Sequence, residues 1–208
     1  MANEAPRKHF SMIREFHLAD WFTLANAACG AGAIFASMTY LDTRDVRHVY
    51  FAGALVFAAL VFDVLDGRVA RWRQTSSPMG QELDSLSDVI SFGVAPAIIG
   101  YACGMQGLYD RVVLVCFVAC GVSRLARYNV TAEALSEGTG KVKYFEGTPI
   151  PTSFFIVVLL ALAARSGAVG PDLWLGVVRL AGFHFHPLVL VFALSGSLMV
   201  SRIRIPKL

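Results

Sequence analysis

Long apolar runs separated by short polar segments occupy most of the chain. A helix needs about 20 apolar residues to cross the hydrocarbon core of a bilayer, and most of these runs approach that length. The predicted spans are residues 21–40, 49–71, 81–103, 108–127, 152–165 and 187–200. The pattern therefore predicts an all-α integral membrane protein with six transmembrane helices.

Two segments outside these spans have an interfacial character. Near the N-terminus, apolar residues are interleaved with Arg14, His17 and Asp20. We expect a short helix in residues 1–20 that lies in the membrane interface rather than a signal peptide, with one transmembrane domain over residues 21–208. Before the last span, Arg179, His184 and His186 interrupt the apolar pattern. A short interfacial piece is expected there, with a structural role for both histidines.

Composition supports the membrane interpretation. Hydrophobic residues make up 56% of the 208 residues, charged residues only 16%, and the mean hydropathy is +0.58. A soluble domain of this length would carry far more polar surface. The net charge of +3 forms no basic stripe, so no nucleic-acid partner is expected. The four cysteines lie in apolar runs without a CxxC pair, which favours packing roles.

The basic residues indicate the orientation. Of the 18 lysines and arginines, 13 lie in the N-terminal tail, the second and fourth loops and the C-terminal tail. Positively charged residues concentrate on the cytoplasmic side of membrane proteins. Both termini are therefore expected in the cytoplasm, together with the segment that joins the second and third spans.

That segment carries four aspartates at helical spacing. Asp63 and Asp66 are three residues apart, and Asp84 and Asp88 are four apart, so each pair shares one helix face. The turn between the pairs reverses the chain, and the two faces can meet. Several carboxylates at a membrane helix end are costly without compensating cations. Carboxylate oxygens suit Mg²⁺, Mn²⁺ or Ca²⁺ rather than zinc, and two such ions could share the four groups.

Small residues and an arginine accompany the aspartates. Gly67 leaves room for a ligand against the helix backbone, Ala70 keeps that approach narrow, and Gly80 lets the next helix come close. Arg71 can face a phosphate with its fork of donors. The alternating acids of a calcium-binding EF-hand loop are absent from this segment.

These residues resemble the signature of the CDP-alcohol phosphotransferase family. The pattern D-x-x-D-G-x-x-A-R from Asp63, followed by G-x-x-x-D-x-x-x-D from Gly80, matches at all eight fixed positions. The resemblance implies a six-helix membrane enzyme, usually a homodimer. Such an enzyme breaks the phosphoanhydride of a CDP-linked substrate, an alcohol accepts the phosphoryl-linked group, and CMP leaves.

Other segments are similar to the membrane-type phosphatidylserine synthases of this family. They are "FTLANAACG" (22–30), "ELDSLSDVISFGVAPA" (82–97), "SRLARYNV" (123–130), "EGTPIPTS" (146–153) and "LMVSRIRIPK" (198–207). The chain departs from these relatives at Ala19-Asp20, where Pro-Asn is frequent. The resemblance implies CDP-diacylglycerol as donor, L-serine as acceptor, membrane lipids as surroundings, and a site on the cytoplasmic side of the cell (inner) membrane.

The resemblance also implies roles for individual residues. The four aspartates would hold two Mg²⁺ or Mn²⁺ ions, with Asp88 also the general base. The expected donor-binding residues are Gly67, Ala70, Arg71, Ser77, Gly80, Thr23 and Asn26. The candidate acceptor-binding residues are Arg124, Arg127, Asn129 and Thr148. The two arginines lie three residues apart at the end of the fourth span, where snorkelling to lipid headgroups is the alternative role.

Alternatives remain within and beyond this chemistry. The acceptor could be glycerol phosphate or inositol phosphate, and the lipid could be an archaeal ether lipid. An intramembrane prenyltransferase also uses aspartates and magnesium, but it needs two separated acidic motifs, whereas this chain has one cluster. A transporter with an acidic cation relay is a third class, against which the absence of internal repeats argues.

Overall fold

A computed structural model describes residues 18–73, 78–136, 144–180, 182–201 and 203–206. The predicted interfacial helix falls largely on residues 1–17 and, like Ser77, lies outside the described residues. Within them the α-helices are α1 (Leu18–Thr43), α2 (Arg47–Arg73), α3 (Pro78–Asp88), α4 (Ala95–Cys103), α5 (Leu108–Ser136), α6 (Phe154–Arg165) and α7 (Leu190–Val200). The strands are β1 (Tyr144–Glu146), β2 (Val178–Leu180), β3 (Phe183–Phe185) and β4 (Arg204–Pro206).

The helices are those of a membrane protein. Three helical stretches are long and apolar enough to cross a bilayer, namely Ala19–Thr43, Arg47–Val69 and Met79–Cys103. Two shorter apolar helices cover Ile150–Arg165 and Pro187–Val200, and α5 is 29 residues long. These elements coincide with the six predicted spans to within a few residues, except that α5 continues nine residues beyond its predicted end.

Outward-facing side chains are apolar on several helices. Phe35 on α1, Val115 on α5 and Phe155 on α6 are each about two-thirds exposed or more, at 67%, 69% and 71%. Large apolar side chains that together cover an outer surface are typical of a surface in contact with lipid. The outer surface of the helices is therefore the surface that a bilayer would cover.

Small residues let α1 approach its neighbours closely. α1 packs along α2 and also against the rod formed by α3 and α4. A Cβ added to Gly30 would come within 2.8 Å of the Ser91 Cα, so only glycine fits at this crossing. Buried alanines, including Ala33, Ala52 and Ala59, line the same interfaces. Close approach of helix backbones through small residues is typical of membrane helix packing.

A π-helical segment, Val89–Val94, joins α3 to α4 into one continuous rod. Pro96 has no N–H, so the carbonyl of Phe92 loses the partner that a regular α-helix would supply. The Ser153 hydroxyl donates to this carbonyl at 2.7 Å, and the Ala95 N–H donates to Ile90. The carbonyls of Ile90 and Phe92 are therefore both paired, as the membrane interior requires.

Two small strand pairs add to the helical architecture. β1 pairs antiparallel with β4, which ties the loop after α5 to the chain segment after α7. β2 pairs antiparallel with β3 in the region where a short interfacial piece is predicted. The description as an all-α membrane protein holds for the membrane part, whereas these strands were not predicted.

Candidate active site

Three carboxylates from two helix ends converge on one point. Asp63 and Asp66 lie near the C-terminal end of α2, and Asp84 lies on α3, the next helix along the chain. The three residues offer oxygens that all lie within 4.8 Å of one another. Asp66 is buried, with 6% of its surface exposed, while Asp63 and Asp84 are half-buried. The helical spacing of the motif is what brings these groups to one face.

Asp88 lies one helical turn beyond Asp84 and is held separately. It is not a member of the group of three. Its Oδ1 accepts a hydrogen bond from the Asn26 Nδ2 at 3.2 Å, and both side chains are buried. The four predicted ligands therefore form a cluster of three and a fourth carboxylate that α1 orients.

Helix α1 forms the wall against which the aspartates are positioned. The Thr23 hydroxyl donates to the Asp66 Oδ2 at 2.9 Å. In return, the hydroxyls of Ser87 and Ser91 donate to the backbone carbonyls of Thr23 and Asn26, both at 2.9 Å. Thr23 and Asn26, which were predicted to reach the nucleotide, thus contact the aspartates directly. A contact with the nucleotide stays a prediction.

Ser87 and Ser91 were missed in the sequence analysis. Both side chains are buried, and they fix the register between α1 and the rod that carries Asp84 and Asp88. Their four-residue spacing, next to Asp84 and Asp88, was the available signal, because it places two hydroxyls on one helix face.

The donor set fits divalent cations. The Asp84 Oδ1 is buried and has no hydrogen-bond partner among the described residues. Three carboxylates this close repel one another, and burying their charges without partners is costly. Hard oxygen ligands at this spacing suit Mg²⁺ or Mn²⁺. The unpartnered oxygen and the mutual repulsion are both relieved when a cation binds between the carboxylates.

The other predicted donor-binding residues lie on the same two helices as the three aspartates, except Ser77, which is outside the described residues. A Cβ added to Gly67 would meet nothing within 4 Å, so the helix surface directly after Asp66 is open to a ligand. Gly80 lies in the first turn of α3. Ala70 and Arg71 lie on the last turns of α2, where the structure describes the backbone but not their side chains.

The predicted acceptor residues are only partly brought together. The half-buried Arg124 on α5 lies close enough to Asp88 for their charges to interact, and its guanidinium carbon lies 5.8 Å from the centre of the Tyr128 ring. Arg127 is half-buried one turn further along α5.

Asn129 and Thr148 have different surroundings. The amide of Asn129 donates to the Ser85 hydroxyl at 3.0 Å, and Ser85 can donate back at 3.3 Å. This pair ties α5 to α3 beside Asp84. Thr148 precedes α6, its N–H donates to Leu198 on α7, and its hydroxyl oxygen is buried without a partner among the described residues. Asn129 therefore positions a helix, whereas Thr148 retains an unused hydroxyl.

Comparison with known proteins gives a consistent result. A family model described as CDP-alcohol phosphatidyltransferase matches residues 16–194. A Saccharomyces cerevisiae protein named CDP-diacylglycerol–serine O-phosphatidyltransferase is 44% identical over 203 residues, which cover 96% of this chain and 74% of the relative. Proteins of the same name from Helicobacter pylori and Methanocaldococcus jannaschii are 38% and 31% identical, over 85% and 95% of this chain and 69% and 78% of their own lengths.

Proposed function

The chain belongs to the CDP-alcohol phosphatidyltransferase family, and from this premise we propose that it transfers the phosphatidyl group of CDP-diacylglycerol to the hydroxyl of L-serine. The products are phosphatidylserine and CMP. The observation that carries the proposal is the convergence of Asp63, Asp66 and Asp84 within 4.8 Å, beside an Asp88 that α1 orients. The name shared by the three relatives supports serine as the acceptor.

Asp63, Asp66, Asp84 and Asp88 would hold two Mg²⁺ or Mn²⁺ ions. When bound, such ions neutralise the negative charge of the diphosphate and of the departing CMP. The open surface at Gly67 lets the diphosphate approach these carboxylates, and Arg71 follows one turn later on the same helix.

Asp88 is proposed as the general base. Its carboxylate accepts the proton of the serine hydroxyl, while the serine oxygen attacks the phosphorus on the lipid side of the diphosphate. The bond from that phosphorus to the CMP oxygen breaks, and CMP carries away the electron pair. The hydrogen bond from Asn26 fixes one Asp88 oxygen at 3.2 Å, and this limits rotation of the carboxylate. The closeness of the Arg124 charge to Asp88 supports Arg124 as the residue that binds the carboxylate of serine.

We further propose six spans in the cell (inner) membrane, with the acidic cluster facing the cytoplasm. The asymmetric distribution of 13 of the 18 basic residues supports this orientation. CMP-linked lipid headgroups and free serine are cytoplasmic substrates, so the site must open on that side. Homodimer formation remains an expectation from the family resemblance.

An acceptor competition assay tests the proposed function. Purified protein in lipid vesicles is incubated with CDP-diacylglycerol and one labelled acceptor. The three acceptors compared are serine, glycerol phosphate and inositol phosphate. CMP release and incorporation of label into lipid are measured together. We expect serine alone to support both signals. Faster turnover with either phosphorylated acceptor would reassign the substrate while leaving the family chemistry in place.

A further inference from the structure

A cavity of about 710 Å³ lies at the end of the helix bundle opposite to the aspartates. Its lining includes two arginines, Arg44 and Arg179, and two histidines, His184 and His186. No carboxylate is among the described residues that line it. A concave site whose charged lining residues are two arginines favours an anionic ligand.

Close backbone contacts hold the walls of this cavity together. Gly104 has a φ of +133°, and a Cβ there would come within 2.9 Å of the Gly170 Cα. A Cβ on Gly107 would overlap the backbone carbonyl of His184, whose carbon would lie 2.8 Å away. Only glycine is compatible with these contacts. The α4–α5 connection, the turn at Gly170 and the β2–β3 hairpin are thereby packed into one preformed structure.

A buried, hydrogen-bonded pair of side chains anchors the same wall. The Asp110 side chain is fully buried at the start of α5, where it accepts hydrogen bonds from the backbone N–H of Gly107 at 3.0 Å and of His186 at 2.9 Å. The His186 Nδ1 lies 2.6 Å from the Asp110 Oδ2. A carboxylate that holds one ring nitrogen of a histidine fixes the orientation of the ring. His186 is therefore a rigid part of the cavity lining.

The aspartates in the neighbourhood of the cavity do not belong to its lining. Asp45 pairs with Arg47 at 2.7 Å, outside the cavity lining. Asp110 is occupied by His186. Asp42 and Asp172 lie in adjoining segments but do not line the cavity. Arg44 and Arg179 are therefore the charged side chains of the lining itself.

We propose that this cavity is a second ligand site, which binds a phosphate group. The forked donors of an arginine match the oxygens of a phosphate, and imidazole N–H groups add further donors. Exposed apolar side chains adjoin the site, including Leu175, which is 72% exposed, and Phe183, which is 48% exposed. This surrounding suits the phosphodiester of a phospholipid in the leaflet opposite to the catalytic site. A soluble phosphate carries the same chemistry.

The test measures the melting temperature of the purified protein in detergent. The added probes are phosphatidylglycerol, inorganic phosphate and diacylglycerol, which lacks a phosphate. Wild-type protein is compared with Arg44→Asn, with Arg179→Gln and with the double variant. Asparagine is chosen at position 44 because Arg44 has a φ of 56°, which asparagine tolerates. Arg165→Gln is the matched control, because Arg165 is an exposed basic residue at the same end of the bundle, away from the cavity lining.

We expect phosphatidylglycerol to stabilise the wild type and the control variant, and each cavity variant to lower the apparent affinity about tenfold. A shift with inorganic phosphate as well would show that the free anion is sufficient, whereas a shift with phosphatidylglycerol alone would identify a lipid headgroup. Residual binding in the double variant that is at least about tenfold weaker than in the wild type is assigned to the catalytic site.

Three results would overturn the proposal. The first is an unchanged melting temperature of the wild type with phosphatidylglycerol. The second is an equal shift of the melting temperature with diacylglycerol. The third is wild-type affinity for phosphatidylglycerol in the double variant. If a variant melts early without ligand, His184→Gln, at an exposed position, replaces it in the same comparison. None of these readouts depends on which alcohol is the acceptor, so the proposal and the catalytic assignment can fail separately.

Discussion

Thr23→Val removes a single hydrogen-bond donor from the acidic cluster and keeps the shape of the side chain at position 23. The Thr23 hydroxyl donates to the Asp66 Oδ2 at 2.9 Å, and the two residues are 3% and 6% exposed. Loss of a hydrogen bond to a charged group costs about 1.5–3 kcal/mol, and loss of a group that orients a metal ligand typically lowers metal affinity about 10- to 100-fold. We therefore expect the metal concentration that gives half-maximal activity to rise at least tenfold.

The assay is serine-dependent CMP release from vesicles, titrated with Mg²⁺ or Mn²⁺. Thr39→Val is the matched control on the same helix. The Thr39 hydroxyl donates to the Phe35 carbonyl at 3.0 Å, which resembles the bond that Thr23 can form with the Ala19 carbonyl at 3.2 Å. The control therefore accounts for any effect of valine on α1 itself. Equal metal dependence in the two variants would refute the assignment of Thr23 as a residue that positions Asp66.

Three further predictions concern the base, the acceptor site and the orientation. Asp88→Asn should lower turnover by about 10²- to 10⁴-fold, which is the usual contribution of a general base. The variant should still bind CDP-diacylglycerol. Wild-type turnover in this variant would exclude Asp88 as base and ligand. Arg124→Lys or Arg127→Lys should raise the KM for serine, because lysine keeps the charge but loses the paired donors. An unchanged KM for serine in both variants would favour the alternative role, in which the arginines snorkel to lipid headgroups. In a cysteine-free background, a cysteine replacing Thr43 should react with an impermeant maleimide in intact cells, whereas one replacing Ser76 should react only after permeabilisation; the reverse pattern would invert the topology.

Part of the site follows from helical spacing alone. The residues Asp63 and Asp66 had to share a face, and the few residues that separate α2 from α3 allowed Asp84 to be brought towards them. These are local rules of chain geometry, so one sequence is sufficient to apply them. The same rules could not predict that the Asn129 amide would bond to Ser85, 44 positions away, because partners between helices depend on how the helices pack.

The fold, too, could be predicted only in part. Apolar runs of membrane length predicted the helices, but the β2–β3 hairpin at Val178–Phe185 was not predicted. Its strands are only three residues each, too short for an alternating pattern to be recognised. The π-helical segment had one local cause, Pro96. Its stability also depends on the Ser153 hydroxyl, which comes from a different part of the chain.

The most direct test of the central claim is serine-dependent CMP release by protein that has been stripped of metal with EDTA and then titrated with Mg²⁺ or Mn²⁺. The convergence of Asp63, Asp66 and Asp84 within 4.8 Å predicts no release in the stripped protein, recovery on addition of either ion, and much weaker recovery in Asp84→Asn. Full release in metal-free buffer would contradict the account, and so would release that does not require serine.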